Sequence, residues 1–180
     1  MGEKMLRLSG AVIGMSRWLA ILGGVVLLAI TVMTVVSIAG RAFIWAGLAP
    51  VPGDFELVEV GSAFAVFAFL PWCQVNRGHA TVDIVTSYLS PRANRIIDVV
   101  SETLMTLAII LIAWRLWYGL MDKIRYNEVT FILQMPVWWG YAAAMAAASV
   151  GVLVSLFVLY VRVREAVEGR TILEGQGVVH

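Results

Sequence analysis

The sequence predicts an all-α integral membrane protein with four transmembrane helices, an N-terminal interfacial helix and a short amphipathic helix in the cytoplasmic loop. Of its 180 residues, 61% are hydrophobic and 14% are charged, whereas soluble domains carry about 25% charged residues. No charged residue lies between Arg17 and Arg41. A helix of that length is about 34 Å long, enough to cross a hydrocarbon core about 30 Å thick. In lipid, a helix satisfies its backbone polar groups within one segment.

The first two spans are predicted over residues 18–40 and 56–76. The first has a longer apolar core than the about 7–15 residues of a signal peptide, so we expect it to be retained. The second contains the uncharged run Val60–Asn76, which is near the lower length limit for a span. Pro71 lies inside this run, and a proline in a helix interior predicts a kink or a helix end near it.

The third and fourth spans are predicted over residues 94–115 and 137–160. The apolar run Thr103–Trp114 is too short to cross a membrane alone, so the third helix must begin earlier and carry Glu102 to the membrane edge. The uncharged run around the fourth span is longer than one span needs. Pro136 stands at its start, which is a favoured place for proline in a helix.

The segments outside the spans complete one membrane domain over residues 1–168. Residues 3–18 mix apolar side chains with Lys4, Arg7 and Arg17, a composition that favours a helix lying along the membrane surface over a frayed tail. Residues 169–180 are predicted to be a disordered cytoplasmic tail.

Lysine and arginine are distributed unequally between the two sides of the spans. Cytoplasmic segments carry the excess of these residues in membrane proteins, so we expect both termini in the cytoplasm. Tryptophans and tyrosines cluster at the opposite ends, as in an aromatic belt. The richer side has Lys4, Arg7, Arg17, Arg77, Arg92, Arg95, Arg162, Arg164 and Arg170, and the other has Arg41, Arg115, Lys123 and Arg125.

Small residues on two spans are candidates for helix packing. Ala142 and Ala146 belong to an alanine-rich run of the fourth span, and Gly23 and Gly24 stand together in the first. Small residues let helix backbones approach closely in a membrane. Packing against a partner helix is therefore predicted for these positions and for Pro136, and alanine-rich filler is the alternative for the alanine run.

Ionisable residues near the span ends are candidates for structural pairing. Arg41 at the outer end of the first span is expected to pair with Glu56 or Glu59 at the start of the second, unless each reaches water separately. Glu102 is expected to contact Arg77 or Arg95. Intramembrane ionisable groups are usually paired or functional, and no chain of them crosses these spans.

The residues after the second span form the most distinctive local pattern. Gly78 favours a turn, Asp83 can cap a following helix, and Arg77 and His79 can hold a carboxylate or a lipid phosphate. Together with Arg92 they are candidate contacts to phospholipid or to another subunit, and a solvated charged loop is the alternative.

No catalytic or metal-ligating set is assembled by the sequence. His79 and His180 are the two histidines, neither within a span, and Cys73 is the one cysteine. We therefore expect no enzyme activity and no cofactor. The net charge of +1 argues against nucleic acid as a partner.

In the order of these features the chain resembles the small membrane (Q) subunit of tripartite ATP-independent periplasmic, or TRAP, transporters. The resemblance covers residues 15–161. It departs at Ala80, where a larger aliphatic residue is expected, which bears on the packing of that turn. Its motifs are Arg41 closing the first span, Glu56 and Glu59 opening the second, Arg77-Gly-His79-x-x-Val-Asp83, Leu89-Ser-Pro91-Arg92, and Gln134-Met-Pro136 with Tyr141.

The resemblance implies a role in import of organic acids across the bacterial inner membrane. The small subunit would scaffold and anchor a large permease subunit, as a 1:1 heterodimer. That partner would hold the substrate and sodium sites and move in an elevator fashion. A periplasmic substrate-binding protein would deliver the substrate.

Two other kinds of protein remain open from the residues alone. One is a stand-alone small channel or carrier, which uptake by the chain alone would reveal. The other is the membrane anchor of a redox complex, which haem absorbance would reveal, although spans without histidine argue against it. A membrane enzyme is disfavoured because no catalytic set is present.

Overall fold

The computed structural model describes residues 3–76 and 91–168, with side chains described over 9–76 and 96–166. Four long helices account for most of this part: α1 (Glu3–Ala42), α2 (Asp54–Val75), α3 (Pro91–Tyr126) and α4 (Trp138–Glu168). A short 3₁₀ turn, Ile44–Ala46, follows α1. Each long helix contains a stretch long and apolar enough to cross a membrane. The predicted all-α membrane fold with four spanning helices is confirmed.

Several predictions lie outside the described residues. They concern the amphipathic helix of the loop after α2, the tail at residues 169–180, and the side chains of Arg77, His79, Asp83 and Arg92. Gly78 lies outside them as well. These stay predictions.

Helix α1 is continuous from the N-terminal segment into the first span. No break separates residues 3–17 from the span. Val12 and Ile13 pack against a cluster formed by Val75 of α2 and Val154 and Val158 of α4. This segment therefore contacts the bundle through part of its apolar surface, and its position at the membrane surface stays a prediction.

The fourth helix begins two residues later than Pro136. Pro136 instead forms an isolated antiparallel bridge with Val129, and α4 starts at Trp138. The Pro136 carbonyl accepts a hydrogen bond from the Trp139 N–H at 3.1 Å. The predicted role of Pro136 as the opening residue of the span is therefore wrong, because the connection before the helix is structured by its own hydrogen bonds.

Helices α1 and α2 form an antiparallel pair built on small residues. The contacting positions advance by seven residues along each helix, the spacing of a supercoiled helix pair. A methyl group added to Gly23 would lie 2.9 Å from the Ala68 Cβ, and one added to Gly61 would lie 2.9 Å from the Ile30 Cγ2. The two backbones are thus as close as side chains allow. In order along α1 the contacts are Gly23 with Ala68, Ile30 with Gly61, and Ser37 with Asp54.

Helix α4 packs on the other side of α2. Val60 lies against Gly140, and Pro71 lies against Gly151, eleven residues further along each helix, so α2 and α4 run parallel. Helix α3 in turn packs against α4, where Tyr141 covers Gly119. The spatial order of the helices is therefore α1, α2, α4, α3, an open row with α1 and α3 at its edges.

The buried fraction of a helix depends on its place in the row. In the most apolar 18-residue window of each helix, 6% of residues are buried in α1 and 39% in α4. The apolar residues of α1 therefore face the membrane or a partner over most of the helix, while α4 is the helix most enclosed by this chain.

Helix α2 passes through Pro71 and ends only at Val75. Pro71 is buried, with its ring against Gly151 of α4. Because proline has no backbone N–H, the hydrogen bond to the Phe67 carbonyl, four residues earlier, is missing.

We expect Gly23→Leu to lower the free energy of unfolding in detergent by about 1–3 kcal/mol, because the larger side chain overpacks the α1–α2 contact. Gly24→Leu is the matched control, since a Cβ at Gly24 meets nothing within 4 Å. Thermal unfolding of both variants checks this, and equal melting temperatures would contradict the α1–α2 register.

Candidate functional site

The end of the α1–α2 pair that carries the α1–α2 connection, which we call the outer end after its predicted orientation, is organised around the carboxylate of Asp54. The Ser37 hydroxyl and the Arg41 guanidinium both donate to Asp54 Oδ2 at 2.5 Å. The Phe55 N–H donates to Oδ1 at 3.0 Å. Asp54 is buried, with 7% of its surface exposed, so the carboxylate is almost fully enclosed by its partners. This contact fastens the last turn of α1 to the first turn of α2.

Arg41 completes this cluster from the exposed side. Its guanidinium lies 5.2 Å from the centre of the Phe55 ring, a cation–π contact. The side chain keeps 43% of its surface exposed. Arg41 thus shields Asp54 while still presenting charge outward.

The predicted pairing of Arg41 with Glu56 or Glu59 is wrong, since the partner is Asp54. The heptad register explains this, because it places Asp54 directly opposite Ser37, one turn from Arg41. Glu56 and Glu59 lie on other faces of α2. The available signal in the sequence was the seven-residue spacing of Asp54, Gly61 and Ala68, which marks one buried stripe.

Glu56 instead binds the connection between α3 and α4. The N–H groups of Ile132 and Leu133 donate to Glu56 Oε1 and Oε2 at 2.6 and 2.9 Å. A carboxylate that accepts two successive backbone N–H groups satisfies donors that a turn leaves unpaired. Glu56 thereby ties the α3–α4 connection to the first turn of α2.

That connection is a hairpin-like loop, residues 128–137, which we call the outer hairpin. Thr130 N–H donates to the Met135 carbonyl at 2.8 Å, and Val137 N–H donates to the Glu128 carbonyl at 3.0 Å. Glu128 also forms an ion pair with Lys123 at 2.5 Å. A Cβ at Gly53 would collide with Leu133, so the tip of the outer hairpin packs directly on the residue before α2.

Large apolar side chains are exposed around this end. Phe131, at the tip of the outer hairpin, is 92% exposed, and Trp45, on the 3₁₀ turn, is 83% exposed. Both stand on segments held in place by backbone hydrogen bonds. We call Trp45, Phe55, Phe131 and Ile132 the outer apolar surface.

Glu59 is exposed, and within the described part of the chain no ion pair links it to another side chain. The structure therefore separates the three predicted residues of this end into three roles. Arg41 pairs with Asp54, Glu56 fastens the outer hairpin, and Glu59 faces outward.

A second polar cluster joins α2, α3 and α4 near the other end of α2. Gln74 Nε2 donates to Glu102 Oε1 at 2.5 Å, and the Ser155 hydroxyl donates to Gln74 Oε1 at 2.6 Å. Gln74 is 1% exposed and Ser155 is 0% exposed. The amide thus links a carboxylate and a hydroxyl from two other helices. The predicted partners of Glu102, Arg77 and Arg95, have no described side chains.

The predicted packing residues divide between the interior and the free surface. Gly23 is buried against α2, whereas Gly24 faces open space. In the alanine run, Ala144, Ala147 and Ala148 are buried, while Ala146 is exposed and Ala142 is half-buried. Much of the small-residue surface therefore serves packing inside this chain.

A small space lies between α2, α3 and α4. It has a volume of about 10 Å³, roughly the size of one water molecule. Within the described ranges, no group of three or more His, Cys, Asp and Glu side chains is arranged to hold a metal ion. The space is lined by Phe67, Leu70, Ile109, Ile112, Ala148 and Gly151.

We expect Asp54→Asn to lower the melting temperature markedly, because the Arg41 charge loses its counter-ion while the Ser37 contact is retained in part. Ser37→Ala should cause a smaller loss. Glu59→Gln is the control and should leave the melting temperature unchanged. Equal effects at positions 54 and 59 would contradict a central role for Asp54.

We expect Glu56→Gln to loosen the outer hairpin, because an amide offers one acceptor oxygen where the carboxylate offers two. The amide hydrogens of Ile132 and Leu133 should exchange roughly tenfold faster in the variant. Hydrogen exchange followed by mass spectrometry measures this, with Glu59→Gln as the matched control on the same helix. Unchanged exchange in Glu56→Gln would show that the hairpin is held by other contacts.

Comparison with known proteins places these features in a family. The family model of the tripartite ATP-independent periplasmic transporters, DctQ component, matches residues 30–168. Searches of curated proteins and of solved structures found no match. The family match includes the C-terminal part of α1 and all of α2, α3, the outer hairpin and α4. The chain belongs to the DctQ family and is the small, multi-pass inner-membrane subunit of a tripartite ATP-independent periplasmic transporter.

Proposed function

We propose that this subunit is a stationary scaffold for the large permease subunit, with which it forms a 1:1 heterodimer. The large subunit would carry the sodium sites and the substrate site and import an organic acid. A periplasmic binding protein would deliver that acid. The chain itself would need no cofactor and perform no catalysis.

The observation that carries this proposal is the close packing at the centre of the row. Glycines and alanines bring α2 and α4 together, and the space beside them is about 10 Å³. An organic acid needs a wider path with polar groups along it. The packed contact between α2 and α4 leaves no such path, which disfavours transport by this chain alone.

The charge pattern of the helices supports the same role. Helix α1 has no charged residue between Arg17 and Arg41, and α4 has none between Trp138 and Val161. Substrate and ion pathways in membranes are usually marked by ionisable or polar groups that face one another. Helices without them suit anchoring in lipid and packing on another subunit.

The free surfaces of the row fit lateral contact with a larger membrane subunit. Helix α1 exposes Leu28 and Val35 along an apolar face. Helix α4 exposes Ala146 and Ser149, small residues that let a second backbone approach. A helix of the large subunit could therefore approach the exposed part of α4 more closely than α1. Helix α1 offers that subunit a broad apolar contact.

The outer apolar surface supports a role in docking the periplasmic binding protein. Phe131 and Trp45 are aromatic residues held on ordered turns, and exposed aromatic anchors of this kind are typical of protein interfaces. This assignment requires the outer end to face the periplasm. The excess of lysine and arginine on the opposite side agrees with that orientation, with both termini in the cytoplasm.

Reconstitution of the whole system tests the scaffold proposal. Vesicles that contain the large subunit and this chain should take up labelled organic acid from the loaded binding protein when a sodium gradient is imposed. Omission of this chain should abolish most uptake, and this chain alone should give none, because the path lies in the partner.

The controls separate this role from the alternatives. Collapse of the sodium gradient should stop uptake in the complete system. Uptake by this chain alone would identify a stand-alone carrier and contradict the proposal. Full uptake by the large subunit without this chain would show that no scaffold is required.

A further inference from the structure

Helix α3 carries an arginine inside its apolar stretch. Of the 19 residues between Glu102 and Asp122, Arg115 is the one that is charged. A helix of 19 residues is about 28 Å long, close to the thickness of the hydrocarbon core. The middle of this stretch is Ile112, so the Arg115 backbone lies about 4–5 Å from the middle along the helix axis. Helix α3 continues to Tyr126, and Arg115 therefore stands well inside the membrane.

The packing of α3 against α4 gives a similar depth. Two pairs of residues, seven apart on each helix, define the antiparallel register: Gly119 beside Tyr141, and Ile112 bordering one small space with Ala148. This register places Arg115 at the level of Met145. The charge-free part of α4, residues 138–161, has its middle about 7 Å further along that helix. Both measures place the arginine inside the hydrocarbon core, on the outer side of its middle.

Arg115 belongs to an exposed stripe on the side of α3 that faces away from the row. Its members recur at intervals of three and four residues, and all of them are exposed. Such spacing is the one by which a helix packs along another helix. We call this set the α3 stripe, which consists of Leu104, Ala108, Leu111, Arg115, Tyr118 and Asp122.

The charge of Arg115 has no partner within the described part of the chain, where no hydrogen bond or ion pair joins its guanidinium to another side chain. By contrast, Asp54 and Glu102 are each bound by a side chain of a neighbouring helix. Charged groups inside a membrane are costly, and they usually pair with one another or with backbone carbonyls. The partner of Arg115 is therefore to be sought on another molecule.

The charge and depth of Arg115 discriminate between the possible partners. Two copies of this chain have the same orientation in a membrane, so a two-fold dimer through the α3 stripe would bring Arg115 against Arg115, and like charges repel. Arginines that reach the lipid headgroups stand near helix ends, whereas Arg115 is nearer to the middle of its apolar stretch than to either end. An acidic side chain on a helix of a different subunit fits both observations.

We propose that the α3 stripe packs against a helix of the large permease subunit that places an aspartate or glutamate carboxylate against Arg115. This inference rests on the scaffold role proposed above. A guanidinium and a carboxylate form two parallel hydrogen bonds, and the pair neutralises both charges inside the membrane. The pair would thereby fix the height of this subunit relative to its partner, while Leu104, Leu111 and Tyr118 supply apolar contact.

Co-purification of the two membrane subunits tests this pairing. We expect Arg115→Leu to lower the amount of large subunit retained by the tagged chain at least about tenfold, because the partner carboxylate is left without its counter-charge. Arg115→Lys keeps the charge and should retain most of the large subunit. Arg125→Leu is the matched control, since Arg125 is an exposed arginine of α3 beyond the apolar stretch, and it should change nothing.

The isolated chain shows whether the effect arises at the interface. Arg115→Leu should melt in detergent at the same temperature as the unaltered chain or higher, since the substitution removes no contact within the described helices. A clearly lower melting temperature would assign Arg115 a partner inside this chain and overturn the proposal.

Cross-linking in membranes identifies what covers the α3 stripe. Photoreactive benzoylphenylalanine in place of Leu111 should form an adduct with the large subunit when both subunits are present. An adduct with phospholipid alone, or with a second copy of this chain, would overturn the proposal. Failure of the unaltered chain to bind the large subunit would overturn the scaffold role as well, whereas binding that Arg115→Leu leaves intact would overturn this inference alone.

Discussion

Helix α2 can hold neighbours on two sides because glycines and alanines let the helix backbones come close together. Between apolar helices in lipid, little hydrophobic driving force exists, so association depends on van der Waals packing and interhelical hydrogen bonds. Gly23 and Gly61 provide this packing toward α1, and Gly140 and Gly151 provide it toward α4. The order of the helices and the narrowness of the central space both follow from these close contacts.

Polar side chains fasten the packed helices near the two ends of α2. Asp54 joins α1 to α2 through Ser37 and Arg41, and Gln74 joins α2 to α3 and α4. In a low-dielectric environment, hydrogen bonds of this kind also specify register, because a displaced partner would leave a buried polar group unsatisfied. Glycine and alanine packing thus sets how close the helices lie, while the polar contacts select the position along the axis.

This division agrees with the proposed scaffold role, in which the subunit has no substrate path of its own. Asp54 and Gln74 are hydrogen-bonded to side chains of neighbouring helices at defined places, while the outward faces of α1 and α3 are largely apolar. At the outer end, the Glu56 carboxylate holds the outer hairpin against α2 and thereby presents Phe131 on an ordered support. A rigid row with apolar edges and an ordered end suits a component that positions other subunits.

The sequence by itself determined the fold class, the number of spanning helices and the family. Long charge-free segments are sufficient for this, because a lipid environment admits so few backbone conformations. Membership also follows from motifs that are local in the chain, such as Arg41 and Pro136 near the span ends. The sequence does not determine which side of each helix contacts another helix, since Gly23 and Gly24 look equivalent in the sequence.

Only the tertiary structure decided which of these small and polar residues meet. Gly23 is packed and Gly24 is open because the seven-residue register of α1 and α2 turns one of them inward. The same register places Arg41 beside Asp54, with which it forms an ion pair. Glu56 lies on another face of α2 and binds Ile132 of the outer hairpin, 76 residues away along the chain. Contacts between distant segments depend on helix rotation and register, which are set by the summed packing of all four helices. Local sequence patterns do not contain that information, because the side of a helix that becomes buried depends on which other helices pack against it.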